Sequence, residues 1–134
     1  MSVVNDYHLR VRYAETDAQQ VAHHSAYVVW LEAARIDWLR QAGFSYKRLE
    51  ADGVFMPVTD LHIRYRAPAH FDDELCLQTE ALAVGRVAVR FGTRMLRHET
   101  LLAEAEVQVA CVNADSRLQR LRPELMAVLG ASAE

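Results

Sequence analysis

Tyr7, Leu9, Val11 and Tyr13 alternate with His8, Arg10 and Arg12, the two-residue period of a strand that buries one face. The alternation stops over residues 14–23. From about 25 to 41 the chain has neither Gly nor Pro, and apolar residues recur at helical spacing. Tyr27, Leu31, Ala34, Trp38 and Ala42 share one face, while Val28, Trp30, Ala33, Ile36 and Leu39 carry apolar character around most of the rest. This predicts one long helix covered by protein on several sides, with Ser25 as its cap and Gly43 at its end. Glu32 and Arg35, three apart, are expected to pair at the edge of the apolar face.

From Val54 onward the period returns to two. Leu61, Ile63 and Tyr65 oppose Asp60, His62, Arg64 and Arg66, with Pro57 marking an edge or bulge at the start. After a turn over residues 67–73, Leu75, Leu77, Thr79 and Ala81 alternate with Glu74, Cys76, Gln78 and Glu80. Gly85 permits the next turn. Val87, Val89, Phe91, Thr93 and Met95 then form an inward face, with Arg86, Arg90 and Arg94 outward. His98-Glu99-Thr100 closes a hairpin onto a last strand, from 101 to about 113, whose inward residues are Ala103, Ala105, Val107, Val109 and Cys111. That hairpin sets Arg94 opposite Glu104 and Arg90 opposite Gln108. A short helix over residues 123–129 starts on Pro123. One strand, a long helix and four antiparallel strands make an α+β domain over 1–134, in which a twisted sheet curls around one helix.

Composition narrows the function classes. Hydrophobic residues make up 51% and charged residues 25% of 134 residues, enough apolar material for a real core, which excludes disorder. The longest apolar stretch, residues 26–31, is far short of a membrane span, so a cytoplasmic protein is expected. A net charge of −3 argues against nucleic-acid binding through bulk charge. Cys76 and Cys111 lack metal-ligand spacing and are expected to be reduced, buried thiols, with no metal bound. No glycine-rich phosphate loop or nucleophilic serine elbow occurs.

Residues 13–27, YAETDAQQVAHHSAY, are the one place where carboxylates, imidazoles and a helix start converge. Unpaired N–H groups at a helix start suit a developing oxyanion, and a carboxylate before them can act as nucleophile or as general base. On spacing alone, Asp17 reads first as an ordinary turn or cap residue and the paired histidines as surface or packing residues.

The same residues carry a family resemblance. Y-x-E-T-D-A-x-x-V-x-x-H-x-x-Y from Tyr13, then L-E-A-A-R-x-x-W-L-R from Leu31, resembles the hotdog-fold acyl-CoA thioesterases of the YbgC and 4-hydroxybenzoyl-CoA thioesterase group. Ile63, Tyr65, Pro68-Ala69 and Asp72-Asp73-Glu74-Leu75 continue it. The resemblance implies a long helix wrapped by a five-stranded antiparallel sheet. It implies hydrolysis of short- or medium-chain or aromatic acyl-CoA thioesters, without metal or organic cofactor. Asp17 takes the place of the catalytic carboxylate, and His24 that of the residue whose N–H polarises the thioester carbonyl. Tyr27 shapes the acyl pocket and His23 is a wall residue. Coenzyme A needs cationic contacts for its phosphates, and among the outward arginines Arg86 is the candidate left free by the cross-strand pairs. The resemblance also implies a homodimer that continues the sheet across subunits, or a homotetramer. Two departures stand out: Gln19-Gln20 replaces a glycine-containing pair after Asp17-Ala18, and Ala26 replaces a polar residue before Tyr27. The competing readings are a hydratase of the same fold, whose His and Asp constellation is missing here, and a non-catalytic module that binds acyl-CoA or acyl carrier protein. Asp17 separates hydrolase from binder, because binding needs no carboxylate beside the thioester. Acyl-carrier thioesters remain an alternative to acyl-CoA as substrate.

Overall fold

A computed structural model describes residues 3–133. Strand β1 (Asn5–Arg10) leads through a 3-10 turn (Tyr13–Glu15) to α1 (His24–Gln41) and α2 (Tyr46–Ala51). Strands β2 (Val58–Tyr65), β3 (Glu74–Val84), β4 (Ala88–Arg97) and β5 (Thr100–Ala110) follow, and α3 (Pro123–Ala133) closes the chain. The strands form one antiparallel sheet in the order β1-β3-β4-β5-β2. This is the hotdog architecture.

The alternation in β3, β4 and β5 is realised as expected: Leu75, Leu77, Thr79 and Ala81, then Val89, Phe91, Thr93 and Met95, then Ala103, Ala105, Val107 and Val109 are buried. Against them α1 sets Tyr27, Trp30, Leu31, Ala34, Trp38 and Leu39, with the Trp38 and Phe91 rings edge to face at 5.7 Å. Each such large side chain contributes about 1.5–3 kcal/mol on burial. The buried hydroxyls of Thr79 and Thr93 satisfy each other at 2.9 Å, as buried polar groups must. In the β4–β5 register Arg94 faces Glu104 and Arg90 faces Gln108. Arg90 bonds Gln108 at 3.3 Å, whereas the guanidinium that bonds Glu104 is that of Arg66.

Several expectations are corrected. Strand β1 ends at Arg10, and Tyr13 is exposed in the following turn, where its ring meets Phe71 edge to face at 5.4 Å. The cap of α1 is His23, with Ser25 already inside the first turn. Glu32 and Arg35 make no direct ion pair among the described residues. Arg35 is partly buried and feels Glu32 only from a distance. Helix α2, capped by the Ser45 hydroxyl accepting from the Arg48 N–H at 3.2 Å, went unpredicted because six residues are too few to display a period. Cys111 is buried, but Cys76 is only half-buried on the outer face of the sheet.

The largest departure concerns β2. Leu61, Ile63 and Tyr65 alternate as predicted, yet none is fully buried by its own chain: β2 is a sheet edge on which Leu61 and Tyr65 stay exposed and Ile63 is only partly covered. Val28 and Val29 on α1 are exposed likewise, so the helix that reads as surrounded has an uncovered apolar flank.

Candidate active site

The segment between the 3-10 turn and α1 folds into a small hairpin. The His23 N–H donates to the Glu15 carbonyl at 2.8 Å, Thr16 and Ala22 pair, and the Asp17 N–H donates to the Val21 carbonyl at 3.0 Å. At its tip the Asp17 carboxylate accepts the Gln19 N–H at 2.8 Å and its carbonyl accepts the Gln20 N–H at 2.9 Å. Gln20 takes φ of 64°, so the left-handed turn for which glycine is suited persists with a glutamine in it. Such a residue costs about 1–2 kcal/mol, partly offset by the chain entropy glycine would lose. Gln20→Gly is therefore expected to raise stability by up to about 1 kcal/mol in a urea titration; a loss of stability would show that the Gln20 side chain has a role of its own.

A second segment braces the hairpin. The Ala22 N–H donates to the Ala69 carbonyl at 2.8 Å and the Phe71 N–H to the Gln20 carbonyl at 3.1 Å. That segment is locked by Asp73, whose carboxylate accepts the His70 N–H and the Arg97 guanidinium, each at 2.8 Å. Arg97 also donates to the Pro68 carbonyl at 3.1 Å. Burial alone would raise the Asp73 pKa, but the His70 N–H and the Arg97 charge hold it below the usual carboxylate range. Asp73, the second of the paired aspartates, thus holds the loop that supports Asp17.

Glu15 ties the hairpin to the helix. Its carboxylate accepts the Arg12 N–H at 2.8 Å and the indole N–H of Trp30 at 2.8 Å. Burial pushes its pKa up, and those two bonds with the Arg12 guanidinium bring it below the ordinary value.

At the helix start the His23 ring nitrogen Nδ1 accepts the Ser25 N–H at 3.2 Å and lies 2.7 Å from the Ser25 hydroxyl. The Ala26 N–H turns back to the His23 carbonyl. Among the described residues the His24 N–H has no acceptor and stands at the positive end of the helix dipole. The His24 carbonyl accepts the Tyr65 hydroxyl at 3.0 Å, and Tyr65 meets the Tyr27 ring edge to face at 4.9 Å. Burial raises the pKa of both tyrosines, so they remain neutral hydrogen-bonding groups.

These residues surround two hollows. Asp17, Glu15, His23 and Ser25 border one of about 400 Å³. His24, Tyr27, Tyr65 and Arg66 border another of about 300 Å³. The His23 ring of the first hollow and the His24 ring of the second lie 4.1 Å apart. Asp17 is exposed and Tyr27 is buried, so Tyr27 belongs to the core with one edge toward the second hollow. Arg86 is not brought to this site within one chain. It lies between β3 and β4, where its carbonyl accepts the Leu121 N–H, whereas the hairpin adjoins the other end of the eleven-residue β3, roughly 33 Å away at strand rise.

The family model of the thioesterase-like superfamily matches residues 11–129. The chain belongs to the thioesterase-like superfamily. It is an enzyme of the thioester-hydrolase class and YbgC-like in sequence: an acyl-CoA thioester hydrolase YbgC from Escherichia coli O6:H1 is 39% identical over 117 residues, 87% of each chain. A hypothetical protein from Thermus thermophilus superposes with a TM-score of 0.90 at 40% identity, covering 94% of this chain and 97% of that one. A DHNA-CoA thioesterase from Staphylococcus aureus superposes with a TM-score of 0.92 at 26% identity, covering 96% of this chain and 89% of that one. In this thioesterase no helix among the described residues is long and apolar enough to cross a membrane. Sequence reasoning missed Glu15, Tyr65 and Arg97 as parts of the site. The first two stand in the quoted motifs, which carried their signal; Arg97 had none, because its partners lie 24 and 29 residues away.

Proposed function

We propose that this chain hydrolyses acyl-CoA thioesters to a free acid and coenzyme A. Asp17 acts as nucleophile or general base, and the N–H groups around His24 polarise the carbonyl. The observation that carries this reading is the shared support of the two halves: one short hairpin holds a carboxylate at its tip and an unpaired helix N–H at its end. With Asp17 as base, water attacks the carbonyl carbon while Asp17 takes its proton, the oxyanion rests on the helix N–H groups, and the thiolate of coenzyme A leaves. With Asp17 as nucleophile, its oxygen displaces the thiolate to give an anhydride that water opens. Both routes need only this chain's residues and water. Short, medium and aromatic acyl groups are the substrate class, and His23 and Tyr27 form walls. Thiol release from a panel of such acyl-CoAs tests the reading; binding without thiol release would overturn it in favour of a binding module.

The unit that works is, on this reading, a homodimer, with pairing to a tetramer as its extension. Edge strand β2 exposes Val58, Leu61 and Tyr65 at 46%, 38% and 49%, and the adjoining helix exposes Val28 and Val29 at 42% and 57%. Together these make an apolar patch along the edge strand, which also carries a bulge between Val58 and Asp60 and the polar side chains of Asp60, His62 and Arg64. Two-fold pairing of β2 with a second copy runs antiparallel, setting the Val58 end of one subunit beside the Tyr65 end of the other. Arg86 belongs to the Val58 end, so Arg86 of the partner subunit approaches the site that its own chain cannot reach. Light scattering should then give at least twice the 15.2 kDa chain mass. Arg86→Ala should raise KM for acyl-CoA by roughly 3–30-fold with little change in kcat, since phosphate contacts far from the carbonyl act as uniform binding. A mass near that of one chain, or an unchanged KM, would remove the respective assignment.

A further inference from the structure

Away from the hairpin, the outer face of the sheet gathers three metal-ligating groups of different chemistry. His8 on β1 stands directly opposite Cys76 on β3, and Asp6 projects from the same face of β1 two residues earlier. One ligand atom from each, a carboxylate oxygen, an imidazole nitrogen and a thiol sulfur, lies within 4.8 Å of the others. In a tetrahedral zinc site, bonds of about 2.0–2.3 Å set ligand atoms about 3.3–3.6 Å apart. Closing a remaining gap of at most about 1.5 Å takes only side-chain adjustment, because two hydrogen-bonded strands already hold the three backbones in register.

None of the three side chains makes a hydrogen bond or ion pair among the described residues, so no structural partner accounts for their convergence. The neighbouring charge is net negative as well: Arg10 alone pairs with both Asp72 and Glu74, and Asp6 adds to that sign. His8 and Cys76 also border an open hollow of about 630 Å³ with His98 at its rim, leaving room for water or a fourth ligand.

We propose that Asp6, His8 and Cys76 form a binding site for one divalent transition-metal ion of the zinc class. The mixed nitrogen, sulfur and oxygen set suits Zn²⁺ and Co²⁺ and disfavours Mg²⁺ and Ca²⁺, which take oxygen ligands. On binding, the Cys76 thiol gives its proton to solvent and the thiolate bonds the metal. The hollow beside His8 and Cys76 shares no lining residue with the one beside Asp17, and the site is independent of the hydrolytic reading. Sequence spacing hides it, because 68 residues separate His8 from Cys76.

Titration of the untagged, reduced full chain with Co²⁺ tests it. The expected result is a thiolate-to-cobalt absorption in the near ultraviolet that saturates at one equivalent and is displaced by Zn²⁺ but not by Mg²⁺. Cys76→Ser should abolish the band and Cys111→Ala should keep it. His8→Ala and Asp6→Asn should each weaken binding by at least ~10-fold, the lower end of what even an outer-shell loss costs. Circular dichroism confirms that each variant is folded. Absence of the band in wild type, its survival in folded Cys76→Ser, or unchanged affinity in both His8→Ala and Asp6→Asn would overturn the proposal.

Discussion

Replacing Asp17 by Asn is expected to lower kcat for acyl-CoA hydrolysis by about 10²–10⁴-fold, the usual contribution of a positioned acid–base group, while leaving the melting temperature nearly unchanged. The asymmetry follows from what the side chain touches. Its one internal bond is the Gln19 N–H accepted at 2.8 Å, and an asparagine amide oxygen accepts the same donor. The hairpin bonds beside it are made by backbone groups of Glu15, Asp17, Val21 and His23, which the substitution does not alter. What disappears is the negative charge and basicity that either hydrolytic route requires. Because the loss falls on the reacting centre, kcat and kcat/KM should fall together with KM little moved. Thiol release under saturating acyl-CoA, alongside a thermal melt by circular dichroism, measures both halves. A rate within twofold of wild type would remove Asp17 from the reaction; a collapse of the melting temperature would make it a structural residue.

The parts of this fold that the sequence announces are those buried by neighbours on the same chain. Period two survives in β3, β4 and β5 because each has a wet face and a face under α1, and even the Arg90–Gln108 and Arg94–Glu104 register follows from the length of one hairpin. The illegible parts have physical causes. β2 carries an apolar face that the chain covers only in part, at Ile63 and at the Tyr65 ring, so its pattern announces a contact outside the single subunit. Ser25 is a good cap by type, yet the His23 ring performs that task, a geometry no preference scale contains. Glu32 and Arg35 have the spacing of a pair, but partial burial of Arg35 among α2 and its neighbours takes precedence. The candidate site is marked in the sequence as a location, since one stretch combines carboxylates, imidazoles and a helix start. Its division into two hollows is not, because that depends on how the His23 and His24 rings are placed. Gln19-Gln20 stands where a glycine would reach positive φ easily, and Gln20 takes positive φ nonetheless: bracing by residues 69–71 outweighs the local preference.

Glu15→Ala is expected to destabilise the protein by about 2–4 kcal/mol and to lower activity at temperatures where the variant is still folded. The side chain is 10% exposed and its two oxygens accept the Arg12 N–H, the Trp30 indole N–H and the Arg12 guanidinium. A hydrogen bond to a charged acceptor contributes about 1.5–3 kcal/mol, and a buried donor stripped of its partner costs about 1–3 kcal/mol. Trp30 is buried, so its indole N–H would be left in the second condition. Activity suffers because the Glu15 backbone anchors His23, and a loosened 3-10 turn lets the hairpin shift against α1. Acid sharpens the test. The folded-state pKa of Glu15 lies below its ordinary value of 4.5, so its ionised form stabilises the fold fully above that value and the contribution is lost as pH falls through the folded pKa. Glu15→Gln keeps an acceptor for Trp30 but cannot titrate. The stability difference between wild type and Glu15→Gln should therefore be constant near neutrality and shrink as pH is lowered below about 4.5, the acid response of Asp73 being common to both and cancelling. Urea unfolding of wild type, Glu15→Ala and Glu15→Gln at pH values above and below that point measures it. A pH-independent difference would mean that the Glu15 charge adds nothing to the tie between hairpin and helix, and a Glu15→Ala loss below about 1 kcal/mol would mean that the Trp30 bond does not hold them together.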